Sequence, residues 1–172
     1  FKEKNNHIFF EGQIYDAYSL IIELIKEVIR KCDVMLKEKQ ITVEFDDRKP
    51  VYVIADEFYI EQVVSNYYTN AIKNIAEVEG KKLIKIAVKK AKEPGKLRVS
   101  VFNTGKNIEE ENLNRIWTRF YKVDSARTRA KGGTGIGLAL VKAIMTKYNS
   151  AYGVRNKKNG VEFYFEIQEP KK

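Results

Sequence analysis

The sequence predicts an α+β fold, a two-layer sandwich in which a mixed, mostly antiparallel sheet of about five strands packs on three helices. Residues 82–90 and 96–103 alternate apolar and polar side chains around a Pro94-Gly95 turn, which is the period of half-buried strands. Stretches 16–39 and 56–78 instead repeat their apolar residues at three- and four-residue spacing, the period of helices. A third helical stretch, Gly135 to about Tyr148, leads into a terminal hairpin, 151–156 and 160–168, turning at Lys158, Asn159 and Gly160.

Residues 7–15 read as a rough strand, after which Asp16 is placed to cap a helix that runs to about Lys39 and ends in the basic run its dipole prefers. Ile21, Ile25, Val28, Cys32 and Met35 form one stripe along it, so Cys32 reads as a buried core thiol. Residues 41–45 and 51–55 read as two strands of a hairpin joined through Asp46, Asp47 and Pro50. Asp56 is placed to cap the second helix, whose apolar side is Phe58, Ile60, Val63, Val64, Tyr67, Ala71 and Ile75. Residues 109–121 read as a short acidic helix ending in Trp117, Phe120 and Tyr121, and 122–134 are polar, basic and aperiodic.

With 172 residues and 44% hydrophobic content, the chain can bury one core and is short for two. No stretch reaches the roughly 18 apolar residues of a membrane helix, and FKEKNNH lacks the apolar core of a signal peptide. A single cysteine excludes internal disulfides and multi-cysteine zinc sites. The net charge of +9 favours anionic ligands or partners, yet most lysines alternate with acids and no nucleic-acid motif is present, so no nucleic-acid partner is expected.

Three motifs carry chemistry. Gly132-Gly-Thr-Gly-Ile-Gly-Leu138 joins a basic segment to a helix start; glycines allow close backbone approach and the helix end offers free amides to phosphate. Taken alone it is equally an ordinary glycine-rich loop. Asn66, Asn70 and Lys73 fall on one face of the second helix, where amide oxygens and an ammonium can converge on one ligand, although polar stripes on exposed helices are common. Phe102-Asn-Thr-Gly-Lys-Asn-Ile108 ends a strand in a glycine turn.

Their order resembles one family. Glu61-Gln-Val-Val-Ser-Asn-Tyr-Tyr-Thr-Asn-Ala-Ile-Lys73 resembles the N box of sensor histidine kinases. Asn103 to Ile108 resembles their first glycine box, Ile116-Trp-Thr-Arg-Phe-Tyr121 their F box, and Gly133 to Leu138 their second glycine box. The resemblance covers about residues 11 to 168 and implies the Bergerat-type fold shared by gyrase, Hsp90, histidine kinases and MutL. It implies that Asn70 holds the Mg2+ of bound ATP, that Lys73 contacts the phosphates, and that Asn66, Asn70 and Lys73 form the catalytic group. It also implies nucleotide contacts from Asn103, Gly105, Ile108, Phe120, Tyr121, Gly133, Thr134, Gly135, Ile136, Gly137 and Leu138. Residues 122–134 then resemble an ATP lid, in which Arg127, Arg129 and Lys131 are candidates to reach the phosphates, against an equal reading as a solvated basic loop.

Asn66 stands where gyrase-like relatives carry a water-activating glutamate; an amide cannot take up that proton, which favours phosphoryl transfer over hydrolysis. Asn103 replaces the aspartate usual in the first box, Asn107 replaces its second glycine, and Asn74 stands where an aromatic often packs on adenine. An Asn103 carboxamide can still accept from adenine with a loss of about 1 kcal/mol, predicting weaker binding.

The only histidine, His7, lies in Asn-His-Ile-Phe and does not resemble a phosphoacceptor box. The resemblance then implies a domain at 11–169, residues 1–10 as a linker from a separate dimerisation and phosphoacceptor hairpin, and 170–172 as a tail. The expected partners are that hairpin and a response-regulator receiver domain, with the fragment monomeric and a homodimeric, membrane-anchored parent holding this domain in the cytoplasm. A non-catalytic scaffold of the same fold, or a gyrase-like ATPase, are the competing readings.

Overall fold

A computed structural model of the chain describes residues 3–4, 7–10, 13–15, 18–49, 51–121 and 135–170. Strands β1 (Glu3–Lys4), β2 (His7–Phe10) and β3 (Gln13–Tyr15) form a small antiparallel sheet, so the stretch expected as one strand folds back on itself. β4 (Tyr18–Leu20) pairs with β6 (Tyr52–Ile54), antiparallel, with Ser19 opposite Val53. The main sheet has the order β5-β7-β8-β10-β9, from β5 (Thr42–Phe45), β7 (Leu83–Lys90), β8 (Lys96–Thr104), β9 (Tyr152–Lys157) and β10 (Gly160–Gln168). It is mixed, because β5 runs parallel to β7 while the other neighbours are antiparallel.

That parallel pairing corrects the expected 41–55 hairpin. The acidic connection 46–51 does not fold β5 onto β6. Instead β6 leads into helix α3 (Glu57–Asn74), which crosses the sheet and returns the chain as β7, the crossover a parallel pair requires. Periodicity identified both segments as strands but carries no information on partners.

The first long helix also differs from expectation. It begins at Ile21, with extended Leu20 at its N-cap and no side-chain cap, so Asp16, itself outside the described residues, does not start it. It breaks at Cys32 (φ −100°, ψ 3°) into α1 (Ile21–Lys31) and α2 (Asp33–Glu38). The break resets the apolar phase: Ile21, Ile25, Val28 and Cys32 are buried as expected, but the stripe continues through Leu36, leaving Met35 exposed. Burial pushes the Cys32 thiol above its ordinary range.

Asp56 does cap α3, accepting from Phe58 N at 2.9 Å, a bond of the kind worth about 1 kcal/mol. Its aromatic neighbour Phe58 is exposed rather than part of the apolar side. The helix stops at Asn74, short of Val78, where Ile75 turns extended and Ala76 N donates to Thr104 O of β8 at 3.0 Å. Residues 109–121 are not one helix but two 3-10 turns, Glu110–Asn112 and Arg115–Trp117. The last helix, α4 (Gly137–Lys147), starts two residues later than expected because Gly135 is left-handed (φ +70°) and cannot join it.

The core lies between the helices and one side of the main sheet. Ile84, Ile86, Leu97, Val99, Val101, Val161, Phe163, Phe165 and Ile167 point inward, one residue in two, against Ile25 of α1, Val63, Tyr67 and Ala71 of α3, and Val141, Ile144 and Met145 of α4. Tyr67 spans the interface: its ring lies 5.3 Å from that of Phe163 and its hydroxyl donates to Tyr164 O at 3.0 Å. The alternate positions of β7, β8 and β10 form an outer side that no described helix covers.

Candidate functional site

The site begins at the C-terminal half of α3. Asn66 and Asn70 are half-buried and Lys73 is exposed, one turn apart on the same helix face. Asn66 Nδ2 donates to Gln62 O at 2.7 Å, which turns its Oδ1 towards the start of α4. A Cβ added at Gly137 would collide with that oxygen, so only glycine lets the α4 N-terminus come so close to α3. Asn70 Oδ1 accepts from Asn74 Nδ2 at 3.0 Å, and the same nitrogen donates to Asn70 O at 2.8 Å. Lys73 forms no ion pair among the described residues.

The first glycine box closes on the end of α3. Asn103 is buried on the helix side of β8, between Ile84 and Val161, and its Nδ2 donates to Thr104 O at 3.1 Å. That bond fixes the amide with its oxygen as the remaining acceptor. At Gly105 (φ +151°), a Cβ would sit 3.0 Å from Asn74 O and 3.6 Å from Asn103 Nδ2. A continuous line of contacts therefore runs from Asn103 through Gly105 and Asn74 to Asn70, and along one turn of α3 to Asn66 and Gly137.

Beyond Gly105, Asn107 reaches the β9–β10 turn, donating to Gly160 O at 2.7 Å and Lys157 O at 3.0 Å. Partly buried Ile108 exchanges two backbone bonds with the Asn156 side chain, at 2.9 and 2.7 Å. Asn156 was not singled out by the sequence, and Gly160 was singled out only as part of the hairpin turn, because no local signal ties either to the first glycine box. Gly160 is required by close approach: a Cβ there would collide with Asn103 O.

Phe120 and Tyr121 stand at one foot of the 122–134 segment and Gly135 at the other. Phe120, left-handed (φ +61°) and 71% exposed, donates from its N–H to Gly135 O at 2.9 Å. A Cβ at Gly135 would lie 3.0 Å from Phe120 Cα. The Tyr121 hydroxyl donates to buried Asn112, and Arg115 stacks over the Tyr121 ring at 5.3 Å. Ile136 is exposed and Leu138 packs against the core. Arg127, Arg129, Lys131, Gly133 and Thr134 lie outside the described residues.

Chemically, the arrangement offers two neutral amide oxygens, one ammonium and the free amides of an eleven-residue helix N-terminus. That set suits a polyanion accompanied by a hard cation, and it contains no carboxylate base.

Residues 55–171 match the family described as histidine kinase-, DNA gyrase B-, and HSP90-like ATPase. The sensor protein RprX of Bacteroides fragilis is 32% identical over 149 residues, 86% of this chain and 28% of that protein. The sensor histidine kinase WalK of Bacillus subtilis is 33% identical over 139 residues, 79% of this chain and 22% of that one. The chain thus spans less than a third of the length of either. The nucleotide-free catalytic domain of the histidine kinase ThkA superposes with a TM-score of 0.76 at 31% identity, covering 90% of this chain and 95% of that one. The described residues of the four boxes sit where the shared fold brings α3, β8 and α4 together, and the chain belongs to the histidine kinase-, DNA gyrase B- and HSP90-like ATPase family, as a catalytic domain of the sensor-histidine-kinase type.

Proposed function

We propose that the chain binds Mg-ATP along the line from Asn103 to the α4 N-terminus and passes the terminal phosphoryl group to a histidine on a separate dimerisation domain, for relay to a response-regulator aspartate. The observation that carries the reading is the contact line itself, which joins a buried amide acceptor at one end to an open helix N-terminus at the other. Asn103 Oδ1 accepts from the adenine amino group. Gly105 and Ile108 border the base, and Lys73 and the amides around Gly137 hold the phosphates.

Asn70 fits a metal: its amide oxygen is neutral and half-buried, and one of its lone pairs is free of Asn74. The metal that Asn70 would hold there would offset the negative charge that develops on the phosphates during transfer. Asn66 orients the α4 amides and supplies no base, so the site positions a nucleotide for transfer rather than activating water. Arg127, Arg129, Lys131, Gly133 and Thr134 are carried into this reading as phosphate contacts from the family alone. The parent is a membrane-anchored sensor with this domain in the cytoplasm and acts as a homodimer, a reading supported by the sensor proteins among the relatives. The described residues contain no helix long and apolar enough to cross a membrane.

One observation favours the scaffold reading: Asn74, where an aromatic often covers adenine, instead folds back onto Asn70. Calorimetric titration with ATP and Mg2+ separates the two. Saturable binding that Asn103→Ala weakens by about tenfold, the value of one buried hydrogen bond near 1.4 kcal/mol, supports the kinase site. No heat at millimolar nucleotide moves the chain to the scaffold.

A further inference from the structure

The outer side of the main sheet is lysine-rich, and no described helix covers it. Lys85 and Lys89 of β7, Arg98 of β8 and Lys157 of β9 line an open groove of about 400 Å³ together with Lys90 and Lys92 beyond them. Among the described residues that line it, Glu162 is the one acid. Glu44, Glu166 and Glu169 at its edges pair with Lys85, Arg98 and Lys90, and Glu162 pairs with Lys157. Lys89 and Lys92 have no ion-pair partner among the described residues, so the groove keeps a surplus of positive charge at its β7 end.

We infer that this groove docks an acidic polypeptide segment of a partner protein. Charge complementarity makes the occupant an anion, and three features decide which kind. The aromatic residues are already spent: Phe102 lies over Gly160, and Tyr164 lies over Gly153 with Arg98 and Arg155 stacked on it at 4.3 and 4.7 Å. Arg98 and Arg155 already stack on the Tyr164 ring, so a single-stranded nucleic acid has little aromatic surface to stack on here. A bilayer is disfavoured because the exposed large apolar side chains, among them Met35, Phe58, Phe120 and Leu140, all lie off this face. An extended acidic segment needs neither: its carboxylates meet the lysines and its length follows the strands.

The groove lies on the opposite side of β8 from Asn103, since Phe102 and Asn103 alternate, so occupancy there does not compete with the nucleotide. The test is a low-salt titration of the full chain with a fluorescent oligoglutamate peptide, in parallel with Lys89→Glu/Lys92→Glu and the milder Lys89→Gln/Lys92→Gln. The expected result is saturable binding that falls about tenfold or more on charge reversal, falls less on neutralisation, and weakens with salt. Thermal unfolding of both variants is expected to match the parent chain. Absence of peptide binding overturns the proposal, as does binding that both variants leave unchanged. Tighter binding of single-stranded RNA or of phosphatidylserine vesicles at equal salt overturns the choice of occupant.

Discussion

The two glycine boxes frame the same cleft but are held in different ways. Around the first, side chains do the work: Asn107 and Asn156 tie residues 107–108 to the β9–β10 turn, Gly160 admits the Asn103 carbonyl, and the whole end of β8 is buried. Around the second, backbone and absent side chains do it: Phe120 N bonds Gly135 O, and Gly137 leaves room for Asn66. The first box is therefore part of the sheet and shares its stability, whereas the second is a meeting of two helices and one turn. Changes in the first box should be felt by the whole fold, and a change at Gly137 in the second mainly by the ligand.

The sharpest way to break that contrast is Gly160→Ala. A methyl group driven into Asn103 O must part β8 from β10, and a loss of about 3 kcal/mol in urea unfolding is expected together with loss of ATP binding. If the midpoint does not move, the first box is not integral to the sheet. Gly135→Ala comes next, since its left-handed φ of +70° costs a side chain about 1–2 kcal/mol. Asn107→Ala removes two bonds from a largely exposed side chain, for about 1 kcal/mol, with ATP affinity falling in step with stability. Gly137→Ala is expected to move stability least, by under ~1 kcal/mol, because the Asn66 side chain can rotate away at the cost of its bond to Gln62. It should nonetheless weaken Mg-ATP in calorimetry more than Asn107→Ala does; the reverse order would dissolve the distinction between the boxes.

Elements with a strict period were legible before the structure. β7, β8, β10 and the body of α3 lie where alternation and helical spacing put them, and Asp56 caps as its position implied. What escaped is what depends on distant residues. β5 looked like half of a hairpin because its own four residues cannot say that they will lie parallel to a strand some forty residues on. Cys32 fits a helix interior, so the break there, and the exposure of Met35 that follows, left no local mark. Of the residues that order and spacing singled out, the fold brings Asn66, Asn70, Asn103, Gly105 and Gly137 into one line of contacts, with Lys73 one turn along the same helix face. Asn156, the part Gly160 plays in the first box and the bond from Asn74 to Asn70 were not found, because each acts by touching a neighbour that only the folded sheet supplies.

The bond between Phe120 and Gly135 has a consequence for how this domain can change over evolutionary time. It holds the two described residues that flank 122–134 against each other, so a change of length between them changes only the length of one loop to be closed. The entropy of closing such a loop grows only with the logarithm of its length, about 0.6 kcal/mol for each doubling. Insertions, deletions and rewritten sequence between the two feet are thereby insulated from the core, and this stretch can diverge to suit new partners while α3, β8 and α4 keep their places.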